Sequence, residues 1–136
     1  MGFFRGSPHL EYAADTVARV FTIRSVQLLS DVAEELAHDF TRAWAAPGPR
    51  HAIVNLEDVT YLSSVAVTSL LTLRKQARAA GGEMVVCGLT PPVVSVLRMC
   101  KLIAAEGSSE ASVLVHAADV AAARRRLTGI CELEFV

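Results

Sequence analysis

Two adjacent hydroxyls, Ser63 and Ser64, stand between an apolar strand pattern (Ile53-Val54-Asn55-Leu56) and a long helical pattern that closes at Gly81-Gly82. A helix start carries unpartnered backbone N–H groups and about half a positive charge, so a phosphate placed there is stabilised. Ser64 is therefore the first candidate for a modified residue. Ser63, Val65, Ala66 and Val67 are its neighbours in any docking surface. A bland role competes: Ser is a preferred N-cap residue, worth about 1 kcal/mol, and needs no modification to be explained.

Other side chains offer less. Glu57 and Asp58 close the strand before the hydroxyls. Asp58 reads either as an acidic neighbour of Ser63-Ser64 in space or as a solvated loop residue. Nothing forms a Ser-His-Asp, Ser-x-x-Lys or Cys-His arrangement with supporting context, so an enzyme is not expected. The cysteines at 87, 100 and 131 lack CxxC or CxxH spacing and read as reduced, buried thiols. Histidines at 9, 38, 51 and 116 are scattered, so neither a metal site nor a cofactor is expected.

The elements that must position Ser64 follow from periodicity. Leu10–Ala14 and Val17–Ile23 read as short strands joined by a tight turn at Asp15-Thr16. Ser30 reads as the N-cap of a helix to about Trp44, with Val32, Leu36, Phe40, Ala43 and Trp44 on one face, stopped by Pro47-Gly48-Pro49. The next helix runs from near Ser64 to Gly81. Its first half is apolar almost all round (Val65, Ala66, Val67, Leu70, Leu71, Leu73), either buried or offered to a partner. Strand Glu83–Cys87 follows, then a helix over Pro91–Cys100 with Thr90 as N-cap.

Residues 104–112 read as loop, Val113–Val115 as a strand, and Asp119–Leu127 as a helix with Val120, Ala123 and Leu127 on one face. Arg124-Arg125-Arg126 then falls in a solvated last turn facing the negative helix end. Residues 130–136 alternate as an edge strand or tail. This order predicts an α/β fold: a mixed, mainly parallel sheet of four to six strands with about four helices packed on it.

Composition sets the bounds. At 136 residues the chain reads as a single domain, residues 1–136, able to bury roughly 68% of its unfolded surface. Hydrophobic residues make 52% and charged residues 20%, with a mean hydropathy of +0.39, which suits buried parallel strands. Thirteen basic against 14 acidic residues leave a net charge of −1, so nucleic acid is not an expected partner. The longest charge-free run, Val59–Leu73, is too short and too polar to span a bilayer. Residues 1–6 carry neither the Ser or Thr of a myristoylation signal nor a secretory apolar run, so a cytoplasmic protein without direct membrane insertion is expected.

The segment Ile53–Leu102 resembles the STAS domain of bacterial anti-anti-sigma factors (anti-sigma factor antagonists). The anchors are Ile53-Val54-Asn55-Leu56-Glu57, Val59-Thr60-Tyr61-Leu62, Lys75-Gln76, Gly81 through Cys87, and Pro92-Val93 to Met99 and Leu102. In that family a signature Asp-Ser-Ser/Thr-Gly opens the second helix, and its first Ser is phosphorylated by a partner kinase. Aligned without gaps on Gly81-Gly82, the matching residues are Ser63, Ser64, Val65 and Ala66; only the phosphoacceptor position, Ser64, is kept.

Losing the acid at 63 removes a negative charge beside the hydroxyl. Ala66 in place of Gly stiffens the helix start and is expected to narrow access. The resemblance implies a module that binds an anti-sigma factor acting also as an ATP-dependent Ser/Thr kinase, and that regulates transcription. Phosphorylation of Ser64 would switch it off. Two alternatives stay open: an unphosphorylated STAS scaffold or self-associating module (a homo-oligomer), and a STAS subunit of a lipid or transport system.

Overall fold

In a computed structural model, the described residues are 10–103 and 113–134. Strands β1 (Leu10–Ala14) and β2 (Ala18–Ile23) form an antiparallel hairpin. Asp15 makes the turn: its Oδ1 accepts from the N–H groups of Val17 and Ala18 at 2.8 and 3.0 Å. After β3 (Gln27–Leu28) come α1 (Ser30–Ala45), β4 (His51–Asn55), β5 (Tyr61–Leu62) and α2 (Ser64–Ala79). Strand β6 (Met84–Cys87), α3 (Pro91–Met99), β7 (Val115–Ala117) and α4 (Val120–Glu134) complete the order.

The main sheet runs β1-β2-β4-β6-β7, parallel from β2 onward, and a separate pair joins β3 to β5. This is the expected mixed, mainly parallel sheet with four helices, and its side chains sort by pleat. Phe21, Ile23, Ala52, Val54, Met84 and Val86 face the core shared with α1, α2 and α3. Val20, Ile53, Val85 and Cys87 face Ala123 and Leu127 of α4. Strands buried on both faces need apolar residues at every position, and β6 is buried throughout.

Several boundaries fall elsewhere than periodicity places them. The N-cap of α1 is Leu29, not Ser30, and its carbonyl accepts from Ala33 N–H at 2.9 Å. Thr90 is the N-cap of α3, but its side chain accepts no cap bond. Pro91 and Pro92 remove the first two N–H groups of that helix, so a capping oxygen there has little to accept. The Thr90 hydroxyl instead donates to Val59 O at 2.6 Å.

The strand expected at Val113–Val115 starts two residues later. Leu114 N–H turns away to Leu102 O (2.8 Å), and pairing with β6 begins at Val115 opposite Val85. Residues 130–134 continue α4 rather than forming a strand; 135 and 136 lie outside the described residues, as does the expected loop 104–112. Extending a formed helix adds one hydrogen bond per residue without a new nucleation cost, and that outweighs a short alternating pattern. The three arginines are therefore not a last turn, and Arg124 pairs with Asp15 across the molecule. Cys100 is exposed, so only Cys87 of these two is the buried thiol expected. Burial, with smaller effects from Asp119 and Glu57, pushes the Cys87 thiol up to about 11.

Candidate functional site at the start of helix α2

The small β3–β5 pair sets the site. Strand β3 leads through Leu29 into α1, and β5 leads through Ser63 into α2, so the pairing brings the two helix starts together. Ser63 N–H donates to Leu28 O at 2.9 Å, and the Thr60 N–H and hydroxyl reach Val26 O at 2.7 and 3.2 Å. Deeper in the helix pair, the buried Ser69 hydroxyl donates to Ala33 O (3.3 Å) and Val65 O (3.0 Å). Two residues cannot make a stable sheet alone; the core residues Leu28 and Leu62 anchor this one.

The two hydroxyls divide the roles that sequence left to one residue. Ser63 is the N-cap, with its Oγ accepting from Ala66 N–H at 3.2 Å. Ser64 is the first helical residue and is exposed, and its Oγ makes no hydrogen bond among the described residues. The cap assignment thus moves from Ser64 to Ser63. The geometry at position 63 (φ −75°, ψ 167°) is the extended conformation a cap requires. No acidic residue occupies the first turn of α2, so the partial positive charge of the helix end meets no fixed counter-charge on that turn.

The neighbours are sorted by depth. Ala66 is 3% and Val67 8% exposed, so both side chains belong to the core rather than to an outer surface. The Ala66 methyl points inward and does not cover Ser64, which corrects the expectation of narrowed access. Val65 is half-buried. Large apolar side chains on the adjoining segments are open instead: Val26, Leu29 and Tyr61. Sequence reasoning passed over Val26 and Leu29 because the two-residue strand between them leaves no periodic signal.

Asp58 is held in an exposed ion pair. Its Oδ2 accepts from Arg24 Nη1 at 3.2 Å, while Arg24 Nη2 pairs with Glu11 Oε2 at 2.8 Å. Among the described residues no helix is long and apolar enough to cross a membrane.

This mixed, mainly parallel sheet with four helices is the fold of a known protein class. The family model of the STAS domain matches residues 12–110, well over half the chain, and the chain belongs to the STAS domain family. Similar solved structures include the anti-sigma-factor antagonist (STAS) domain protein of Planctomyces limnophilus, at 19% identity and TM-score 0.72, covering 87% of this chain and 96% of that one. A variant of Moorella thermoacetica RsbS matches at 12% identity and TM-score 0.71, over 90% and 97% of the two chains. The anti-sigma factor antagonist SpoIIAA in its unphosphorylated form matches at 16% identity and TM-score 0.70, over 88% and 96%. The Bacillus SpoIIAA protein has also been solved in its phosphorylated form.

Proposed function

We propose that this chain is a protein-binding switch of the anti-sigma factor antagonist kind, turned off by phosphate on Ser64. The observation that carries the reading is the pairing of a capped helix with an available hydroxyl: Ser63 holds the helix start, and Ser64 is exposed and makes no hydrogen bond among the described residues. Unmodified, the face formed by Ser63, Ser64 and Val65, rimmed by Val26, Leu29 and Tyr61, docks on an anti-sigma factor that is also a Ser/Thr kinase. ATP belongs to that partner. A phosphate adds about −1.5 to −2 charges to this neutral, partly apolar face and disrupts docking through desolvation and repulsion. SpoIIAA, known in both forms, is the precedent.

A non-switching scaffold is the second reading. It draws on the departures from the antagonist signature and on the cap that Ser63 completes without any phosphate. Pull-downs from source-cell lysate with wild type and Ser64→Asp as baits, followed by ATP treatment and phosphosite mapping, separate the two. The switch predicts a kinase-type ATPase held by wild type and lost by the variant, with phosphate on the Ser64 peptide. Identical partners on both baits, with Ser64 unmodified, would assign the site to a scaffold.

A further inference from the structure

Between α3 and the edge strand β7 lies an open cavity of about 470 Å³, lined by Leu89, Val94, Arg98, Ile103, His116, Ala117 and Ala118. We infer that it binds a small amphipathic anion: an oxyanion head held by Arg98 and His116, and an apolar body laid against Leu89, Val94 and Ile103.

Three observations carry this. Position is the first: Leu89 follows the carboxyl end of β6, and Ala117-Ala118 lies at the carboxyl end of β7. The loop after β6 and the end of β7 leave the sheet side by side there, so residues from both share one space. The backbone there is fixed, because Gly88 N–H donates to Ala118 O at 3.1 Å. The glycine sits at φ +66°, and an added Cβ would fall 2.7 Å from Asn55 Oδ1.

Size and lining come second. A cavity of 300–1,000 Å³ is the usual size of a small-molecule site, and this one offers polar and apolar surface in nearly equal measure. Val94 and Arg98 are four residues apart on α3 and so share one helix face. That face supplies both an apolar wall and a cationic group.

Charge is the third. Arg98 and His116 make no ion pair or hydrogen bond among the described residues. Two such groups on one cavity, unengaged among the described residues, complement an oxyanion, and a guanidinium can grip carboxylate or phosphate with two parallel bonds. The cavity is built from α3 and β7 rather than from the start of α2, so this inference does not depend on the Ser64 reading.

The test is an amide-resolved NMR titration of the full chain with octanoate and with octyl phosphate. Octanol and inorganic phosphate serve as probes carrying one half of the chemistry each. Saturable shifts at Leu89, Val94, Ile103 and Ala117 are expected with one or both amphiphiles, and much weaker binding with the single-feature probes. Which amphiphile binds tighter identifies the head group.

Arg98→Ala and His116→Ala alter exposed side chains, and unchanged circular dichroism and melting would confirm their folds. Loss of a charge-assisted hydrogen bond should weaken binding about tenfold or more in Arg98→Ala, while Ser64→Asp should leave it unchanged. Absence of saturable shifts overturns the inference. So does binding that Arg98→Ala and His116→Ala leave intact, or shifts that map away from the cavity.

Discussion

Ser63 and Ser64 differ by one position and by their whole physical role. Ser63→Ala removes a cap and should cost about 1 kcal/mol of stability by denaturant melt, while Ser64→Ala should stay within ~0.5 kcal/mol. Ser64→Asp should leave stability near wild type or raise it slightly, because a carboxylate in the first turn meets the positive helix end. Its effect belongs to partner binding. His51 is a second instructive residue: it is 2% exposed, and its Nδ1 accepts from Glu83 N–H at 3.0 Å, which requires the neutral ring. Burial, then the charge of Arg50, lowers its pKa below the ordinary 6.5. A base with a depressed folded pKa contributes stability that is complete above its unfolded value and lost as pH falls through the folded one. Denaturant melts at pH 7.5 and 5.5 should therefore show stability falling. His51→Asn, whose amide oxygen can stand where Nδ1 does, should reduce that fall.

Helix α2 is fixed at both ends by different chemistry. At its C-terminus Gly81 takes φ +84°, with its N–H donating to Arg78 O at 3.0 Å and the Gly82 N–H donating to Ala77 O at 2.8 Å. That is a Schellman ending. Gly81→Ala should cost about 1 kcal/mol for the left-handed backbone. Gly82→Ala should cost more, since its Cβ would lie 2.1 Å from the backbone oxygen of Arg50 and must displace β4; thermal melts of the two variants rank them. Inside the helix, Leu73 is 0% exposed and Leu71 only half-buried. Leu73→Ala should cost roughly 2–5 kcal/mol and Leu71→Ala clearly less. The first half of α2 was legible as apolar almost all round. Which of those side chains are buried was decided by packing against α1, which leaves Val65 and Leu71 half-buried and Leu70 and Leu73 in the core.

The two faces of the sheet are unequally held. One carries α1, α2 and α3 over a large core. On the other, the described side chains of α4 contribute only Ala123 and Leu127 as fully buried groups, with Arg124 bonded to Asp15 at the β1–β2 turn. Burial raises the Asp15 pKa, but the Ala18 and Val17 N–H groups and Arg124 outweigh it and hold the carboxyl below its ordinary value. Hydrogen exchange should be slowest in β4 and β6 and faster in α4, and Arg124→Ala should speed α4 further without matching effect on α2. Equal protection of α4 and α2 would contradict this unequal layering. By itself the sequence determined the order of the main elements, the parallel sheet, the glycine stop of α2 and the position of Ser64, because local periodicity, turn chemistry and chain order are written in neighbouring residues. The tertiary structure decided which serine caps, that Ala66 and Val67 point inward, that Asp58 belongs to Arg24, and that α4 runs on through residue 134. Burial of Ala66 and Val67 and the Asp58–Arg24 pair depend on segments far apart in the chain, which short-range spacing does not encode, while the extent of α4 follows from helix propagation overriding a short alternating pattern.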